Sequence, residues 1–191
     1  LKPKVIELDN YFVDREHTPK DEDGNYDFES LYAMDLEFLN KQLNELLEGK
    51  EVEVPRFDFK TGNRIFEGNK LRLEDKDILI MEGIHALNPE MTSAVDDSRI
   101  FRVYVSALTS LNIDENNNMS TSDNRLLRRM VRDNRVRGIT PEETIMRWNS
   151  VRRGESKNIF PFQENADALF NSALIFELPM LKYYAEPLLR R

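Results

Sequence analysis

The sequence predicts an α/β protein built on a parallel sheet, and three observations carry that reading. Asp77-Ile78-Leu79-Ile80-Met81-Glu82-Gly83-Ile84 is an unbroken apolar run that stops at an acid and a glycine, the pattern of a strand buried on both faces. A second apolar run, Val5-Ile6-Glu7-Leu8-Asp9, also ends at a carboxylate. Stretches with apolar residues at helical spacing separate the predicted strands. Ligands of open α/β sheets bind just beyond the carboxyl ends of the strands, so Asp9 and Glu82 are expected to share one site. Taken singly, each acid also reads as a solvated turn residue.

The elements follow in order. After Asn10-Tyr11-Phe12, residues 14 to 27 are charged and turn-rich, with an Asp23-Gly24-Asn25 turn, and are expected to form a loop over a pocket. Ser30 is placed to cap a helix in which Leu31, Met34, Phe38, Leu39, Leu43, Leu46 and Leu47 form a core stripe ending at Gly49. Residues 51–73 switch to short alternating pieces around a Lys60-Thr61-Gly62-Asn63 turn, a hairpin excursion. Phe57 and Phe59 share one face of it, suited to a flat ring as well as to a core, and the residues alone favour the core. A short helical segment near Pro89 to Ala94 precedes a third strand, Ile100 to Val105, and the Asn/Ser-rich stretch from Asp114 to Ser122 reads as a mobile loop.

A helix then sets Arg125, Arg128, Arg129, Arg132 and Arg135 within about 120° of arc, opposite Leu126, Leu127, Met130 and Val131. Nine arginines but three acids lie between Arg125 and Arg153, which leaves most of these cations without a local partner. Planar guanidinium groups suit phosphate oxygens, so this comb is expected to bind phosphate, against the alternative of a solvated face. Thr140-Pro141-Glu142-Glu143 forms a capping box for a helix running to about Arg152. Ala173 to Phe176 reads as a fourth strand and Leu181 to Leu189 as a terminal helix.

Composition narrows the class. The 191 residues suffice for a single domain (1–191) with a substantial core, and 40% hydrophobic with 32% charged residues is a soluble globular balance. No run approaches the ~18 apolar residues of a membrane span, so no membrane partner is expected. With zero cysteines there is neither a disulfide framework nor a thiolate site, in keeping with a reducing cytoplasm. His17 and His85 are too few for a histidine zinc site, and a net charge of -8 argues against the whole chain binding nucleic acid.

Five segments in order, Leu8-Asp9-Asn10-Tyr11-Phe12, Tyr26-Asp27-Phe28-Glu29, Pro55 to Phe59, Met81-Glu82-Gly83-Ile84, and Asp123 through Arg128-Arg129, Arg132-Asp133 and Arg137-Gly138, resemble uridine kinases of the phosphoribulokinase/uridine kinase family of P-loop kinases. The likeness is greatest to a bacterial branch in which such a kinase is fused behind a threonyl-tRNA-synthetase-like region. The resemblance implies a doubly wound parallel sheet of the P-loop nucleoside-kinase type with the hairpin excursion and an Arg-rich lid over 114–153. It implies transfer of the ATP γ-phosphate, with Mg²⁺, to a nucleoside 5′-hydroxyl. By this likeness Asp9 accepts the hydroxyl proton, Glu82 holds Mg²⁺ through water, and Tyr11 belongs to the substrate site. Phe28, Phe57 and Phe59 sandwich the pyrimidine, and Glu29, or Asp27, takes the ribose hydroxyls. Arg129 contacts acceptor and phosphate, with Arg128, Arg132 and Arg137 as lid residues.

Two departures stand out. The G-x-x-x-x-G-K-[ST] phosphate loop of these kinases does not occur in these residues, so they are expected to be a fragment that lacks the ATP anchor and is itself inactive. By the strand order of the resembled family, the strand before that loop would lie between those at 78–81 and 100–105; without it a slot is expected, and from the slot self-association, collapse of the gap or poor stability. Gly62 stands where animal uridine-cytidine kinases carry a base-reading histidine. Two other readings remain: an RNA-binding module using the arginine comb, and a non-catalytic scaffold that kept the acceptor pocket.

Overall fold

A computed structural model describes residues 1–22, 24–108, 114–115 and 118–190. Asp23 of the expected turn and part of the expected loop from Asp114 to Ser122 lie outside the described residues. The chain divides into two compact units, residues 1–102 with 154–166, and 103–153 with 167–191.

In the first unit β1 (Lys2–Glu7) leads into a 3-10 turn, Leu8–Tyr11, so Asp9 sits just past the strand and not within it. Ser30 caps only a 3-10 turn, Leu31–Ala33, its hydroxyl accepting from the Tyr32 N–H. Helix α1 (Leu36–Leu47) starts afresh, with Asp35 accepting from the Phe38 N–H. The single helix expected from Ser30 is broken because Met34 takes an extended conformation and bridges Phe12. The stripe Leu39, Leu43 and Leu46 is buried as expected, against Ile6, Tyr11 and Met91.

The excursion is a nested double hairpin. β2 (Val52–Glu53) pairs antiparallel with β5 (Lys70–Leu71), and inside them β3 (Arg56–Asp58) pairs with β4 (Asn63–Ile65). β6 (Asp77–Glu82) then runs parallel to β1 in the register Val5↔Ile80 and Glu7↔Glu82. One expectation fails here. Leu79 and Met81 pack on the core, but Ile78 and Ile80 on the opposite face are 46% and 44% exposed, so the strand is not covered on both faces. A 3-10 turn, Pro89–Thr92, capped by the Asn88 side chain, stands for the expected short helix.

The second unit opens with β7 (Val103–Ser106), shorter than expected, since residues 100–102 are not part of the strand. Helix α2 (Thr121–Arg132) is capped by Ser120, buries Met130 and passes into a π-helical turn, Asp133–Arg137, ended by Gly138. Thr140 and Glu143 make the reciprocal capping box, with N–H to oxygen distances of 2.8 and 3.2 Å, and α3 (Pro141–Asn158) runs six residues past the expected end. The strand parallel to β7 is β8 (Ala168–Asn171), not residues 173–176. Asn171 explains the shift: its side-chain oxygen accepts from the N–H groups of Leu108 and Ala173 at 3.0 Å each, which turns the chain before the second apolar run. Helix α4 (Glu177–Leu189) then begins four residues earlier than expected. β1–β6 and β7–β8 form separate parallel pairs.

Candidate acceptor site and arginine helix

The parallel pairing of β1 with β6 brings their carboxyl ends together. Glu7 lies opposite Glu82 in register, and Asp9 follows in the next turn. Partial burial, and after it the charges of Asp9 and Glu7, push the Glu82 carboxyl above the usual carboxylate range. Such a crowd of acids is stabilised by a cation. The described residues contain no group of three or more acids or histidines poised to cage a metal. Mg²⁺ is commonly held by one or two carboxylates plus waters and phosphates, and Glu82 beside Asp9 fits that mode.

The loop after β1 is stapled to the double hairpin. Asn10 Oδ1 accepts from the Phe57 N–H at 3.1 Å, and Asp14 Oδ1 from the Arg64 N–H at 2.9 Å. Arg15 donates through Nη2 to the Phe59 carbonyl at 2.9 Å and through its backbone N–H to the Gly62 carbonyl at 2.8 Å. Gly62 is required twice over: its φ is +78°, and a Cβ there would meet the Arg15 side chain at 2.7 to 2.9 Å. These hydrogen bonds fasten the segment bearing Asp9 to the hairpin bearing the aromatic rings.

The three expected base-binding rings divide. Phe57, 6% exposed, packs on Phe12 with centroids 5.6 Å apart and belongs to the core. Phe59, 37% exposed, meets Phe57 edge-on at 5.3 Å and leaves surface for a ligand. Phe28 is half-buried and packs near Tyr26, at 6.0 Å. Tyr11 is fully buried, its hydroxyl donating to Gln42 Oε1 at 2.7 Å, and burial raises its pKa. Tyr11 thus supports the site from beneath and is not open to substrate.

Asp27 and Glu29 share one tight turn, in which Asp27 Oδ1 accepts from the Glu29 N–H at 3.1 Å and the Asp27 N–H donates to the Pro19 carbonyl at 2.7 Å. Beneath it lies His85, 2% exposed. Neither of its ring nitrogens has a hydrogen-bond partner of good geometry, and the groups acting on it are Asp27 and the Ser30 backbone. Desolvation pushes the imidazole down to about 4.

In the second unit the arginines are not bare. Asp133, 1% exposed, takes Arg129 Nε at 3.3 Å, Arg132 Nε at 2.9 Å and Arg137 Nη1 at 3.5 Å. Arg128 Nε pairs with Glu177 of α4 at 3.0 Å. A single buried acid organises three of the arginines, and a fourth finds its acid far along the chain. These pairs orient the guanidinium groups of Arg128, Arg129, Arg132 and Arg137.

Sequence reading missed Arg15, Asn10 and Asp14 as staples, because their partners lie tens of residues away. It also passed over Asp133 and His85 as organisers, although a lone acid among arginines is a signal that can be read.

Strands in parallel pairs, flanking helices and acids at strand ends make an α/β fold consistent with that of P-loop nucleoside kinases. A crystal structure from Silicibacter sp. TM1040, provisionally named a fructose transport system kinase, shares this fold with a TM-score of 0.54 at 16% identity, over 88% of this chain and 74% of that one. The Phosphoribulokinase / Uridine kinase family matches residues 5–174, and the chain belongs to that family. Among its relatives are the uridine kinases of Brevibacillus brevis, 29% identical over 86% of this chain and 69% of that one, and of Macrococcus caseolyticus, 31% identical over 86% and 72%.

Proposed function

We propose that these residues form the acceptor-binding part and arginine lid of a uridine kinase-like phosphotransferase, which moves the ATP γ-phosphate to a nucleoside 5′-hydroxyl. The observation that carries this reading is the meeting of Asp9 and Glu82 at the paired ends of β1 and β6, on a loop stapled to the hairpin that presents Phe59.

Asp9 accepts the proton of the attacking hydroxyl, a role suited to an ionised carboxylate at a strand end. Phe59 and Phe28 offer apolar surface to the base, with Phe57 fixing Phe59 from the core side. Glu29, or Asp27, accepts hydrogen bonds from the ribose hydroxyls. Glu82 would hold Mg²⁺ through water, and the ion would supply positive charge to offset that of the ATP phosphates. On their own unit, Arg128, Arg129, Arg132 and Arg137 are phosphate ligands oriented by Asp133 and Glu177.

No phosphate-loop pattern occurs in these residues, so they are expected to bind nucleoside but to hold ATP weakly and to transfer no phosphate alone. Calorimetry tests both halves. Uridine should bind with one site and lose affinity in Phe59→Ala, while ATP should show no micromolar binding. Micromolar ATP affinity would refute the missing-anchor half. Failure of uridine to bind, together with steeply salt-dependent RNA affinity, would replace the acceptor site with an RNA-binding surface.

A further inference from the structure

The end of α3 grips the turn that carries Asp27 and Glu29. A Cβ on Gly154 would stand 2.4 Å from Glu29 Cβ and 3.0 Å from its Cγ, so no larger residue fits at 154 unless that turn moves. One helical turn on, Asn158 Nδ2 donates to the Glu29 carbonyl at 2.7 Å. Glycine inside a helix is unfavourable, so its presence at 154 marks a need for space. The turn is held from its other end by the bond from the Asp27 N–H to the Pro19 carbonyl.

We propose that Gly154 and Asn158 are positioning residues for acceptor specificity: they hold the Asp27–Glu29 carboxylates where the vicinal hydroxyls of a ribose present themselves, so that the end of α3 sets the preference for ribonucleosides over 2′-deoxyribonucleosides. This rests on the proposed ribose-binding role of Asp27 or Glu29. A carboxylate that reads hydroxyls must be held to within about 0.5 Å, and a loop residue reaches that precision only through its supports. Gly154 sets how closely Glu29 approaches the helix, and Asn158 sets the height of its backbone.

The test is calorimetry with uridine and 2′-deoxyuridine on the full chain, with circular dichroism and thermal midpoint as the measure of folding. The parent should prefer uridine by at least about tenfold, because a site built to bind a hydroxyl rejects the analogue that lacks it. Asn158→Ala and Gly154→Ala should each cut that preference about fivefold, roughly the weight of one displaced hydrogen bond, while 2′-deoxyuridine affinity stays within about twofold. A merely structural role would lower both affinities together and would overturn the proposal. Glu29→Gln and Asp27→Asn separate the two levels. If neither changes the uridine preference, the ribose assignment itself fails. If either abolishes it while Asn158→Ala and Gly154→Ala keep the parent ratio, the ribose site stands and the positioning role is wrong. Should Gly154→Ala not fold, Asn158→Ala alone decides.

Discussion

Asp9 differs from its acidic neighbours in lying one turn beyond a strand, in a 3-10 segment whose next residue, Asn10, is tied to the hairpin. A carboxylate on a fixed backbone suits proton transfer. In catalytically competent protein Asp9→Asn should therefore lower kcat by ~10²–10⁴-fold and leave nucleoside affinity nearly unchanged, since asparagine still hydrogen-bonds the hydroxyl but accepts no proton. On the proposed role of Arg129 as a ligand of the transferring phosphate, Arg129→Ala should instead raise KM and lower kcat together, since such a contact serves ground and transition states alike. Steady-state kinetics of the pair checks the contrast; a kcat for Asp9→Asn within a few fold of the parent would return Asp9 to a turn residue. His85 gives a second expectation. Its folded pKa, about 4, lies below the ordinary value of 6.5, so the unfolded chain binds the extra proton. Stability from the neutral ring is present above pH 6.5 and is lost as pH falls toward 4, by up to about 3 kcal/mol. Denaturant titrations across that window should show the loss in the parent and a flatter profile in His85→Phe.

Among the elements, the double hairpin and the arginine helix show what local sequence can and cannot reveal. The Lys60-Thr61-Gly62-Asn63 turn and the alternation about it announced the hairpin, and Thr140 with Glu143 announced the start of α3, because turn and cap chemistry act over a few residues. The helix expected from Ser30 failed for a nonlocal reason, the bridge between Met34 and Phe12. β8 was misplaced because residues 173–176 are more apolar than 168–171, yet Asn171 turns the chain between them. In the site, Asp9 and Glu82 could be read from strand ends, whereas the burial of Tyr11 depends on α1, which no spacing predicts. Gly62→Ala is the expectation at this scale. It forces a side chain into positive φ and into the Arg15 guanidinium, and should destabilise the chain by about 1–3 kcal/mol in chemical denaturation. Pairing the change with Arg15→Ala should recover only the share of the steric cost owed to the guanidinium, since the residue-15 Cβ still lies 2.9 Å away, and the positive-φ cost remains.

For the whole molecule, the α/β class and its parallel pairing were legible because apolar runs ending in acids are a long-range pattern written locally. The exposed sheet face was not, since it depends on what lies over the strand. Val5, Ile78 and Ile80 leave apolar surface open on β1 and β6, as Val103 and Val105 do on β7. Exposed strand faces of this kind favour association, so size-exclusion with light scattering should show concentration-dependent self-association; a strict monomer at millimolar concentration would argue that these faces are harmless. The most direct test of the acceptor-site account is a crystal structure with uridine. It should place the 5′-hydroxyl within about 2.6–3.2 Å of the Asp9 carboxylate, the ribose hydroxyls on the Asp27–Glu29 turn and the base against Phe59. Uridine bound elsewhere on the chain, with Asp9 facing only solvent, would contradict it.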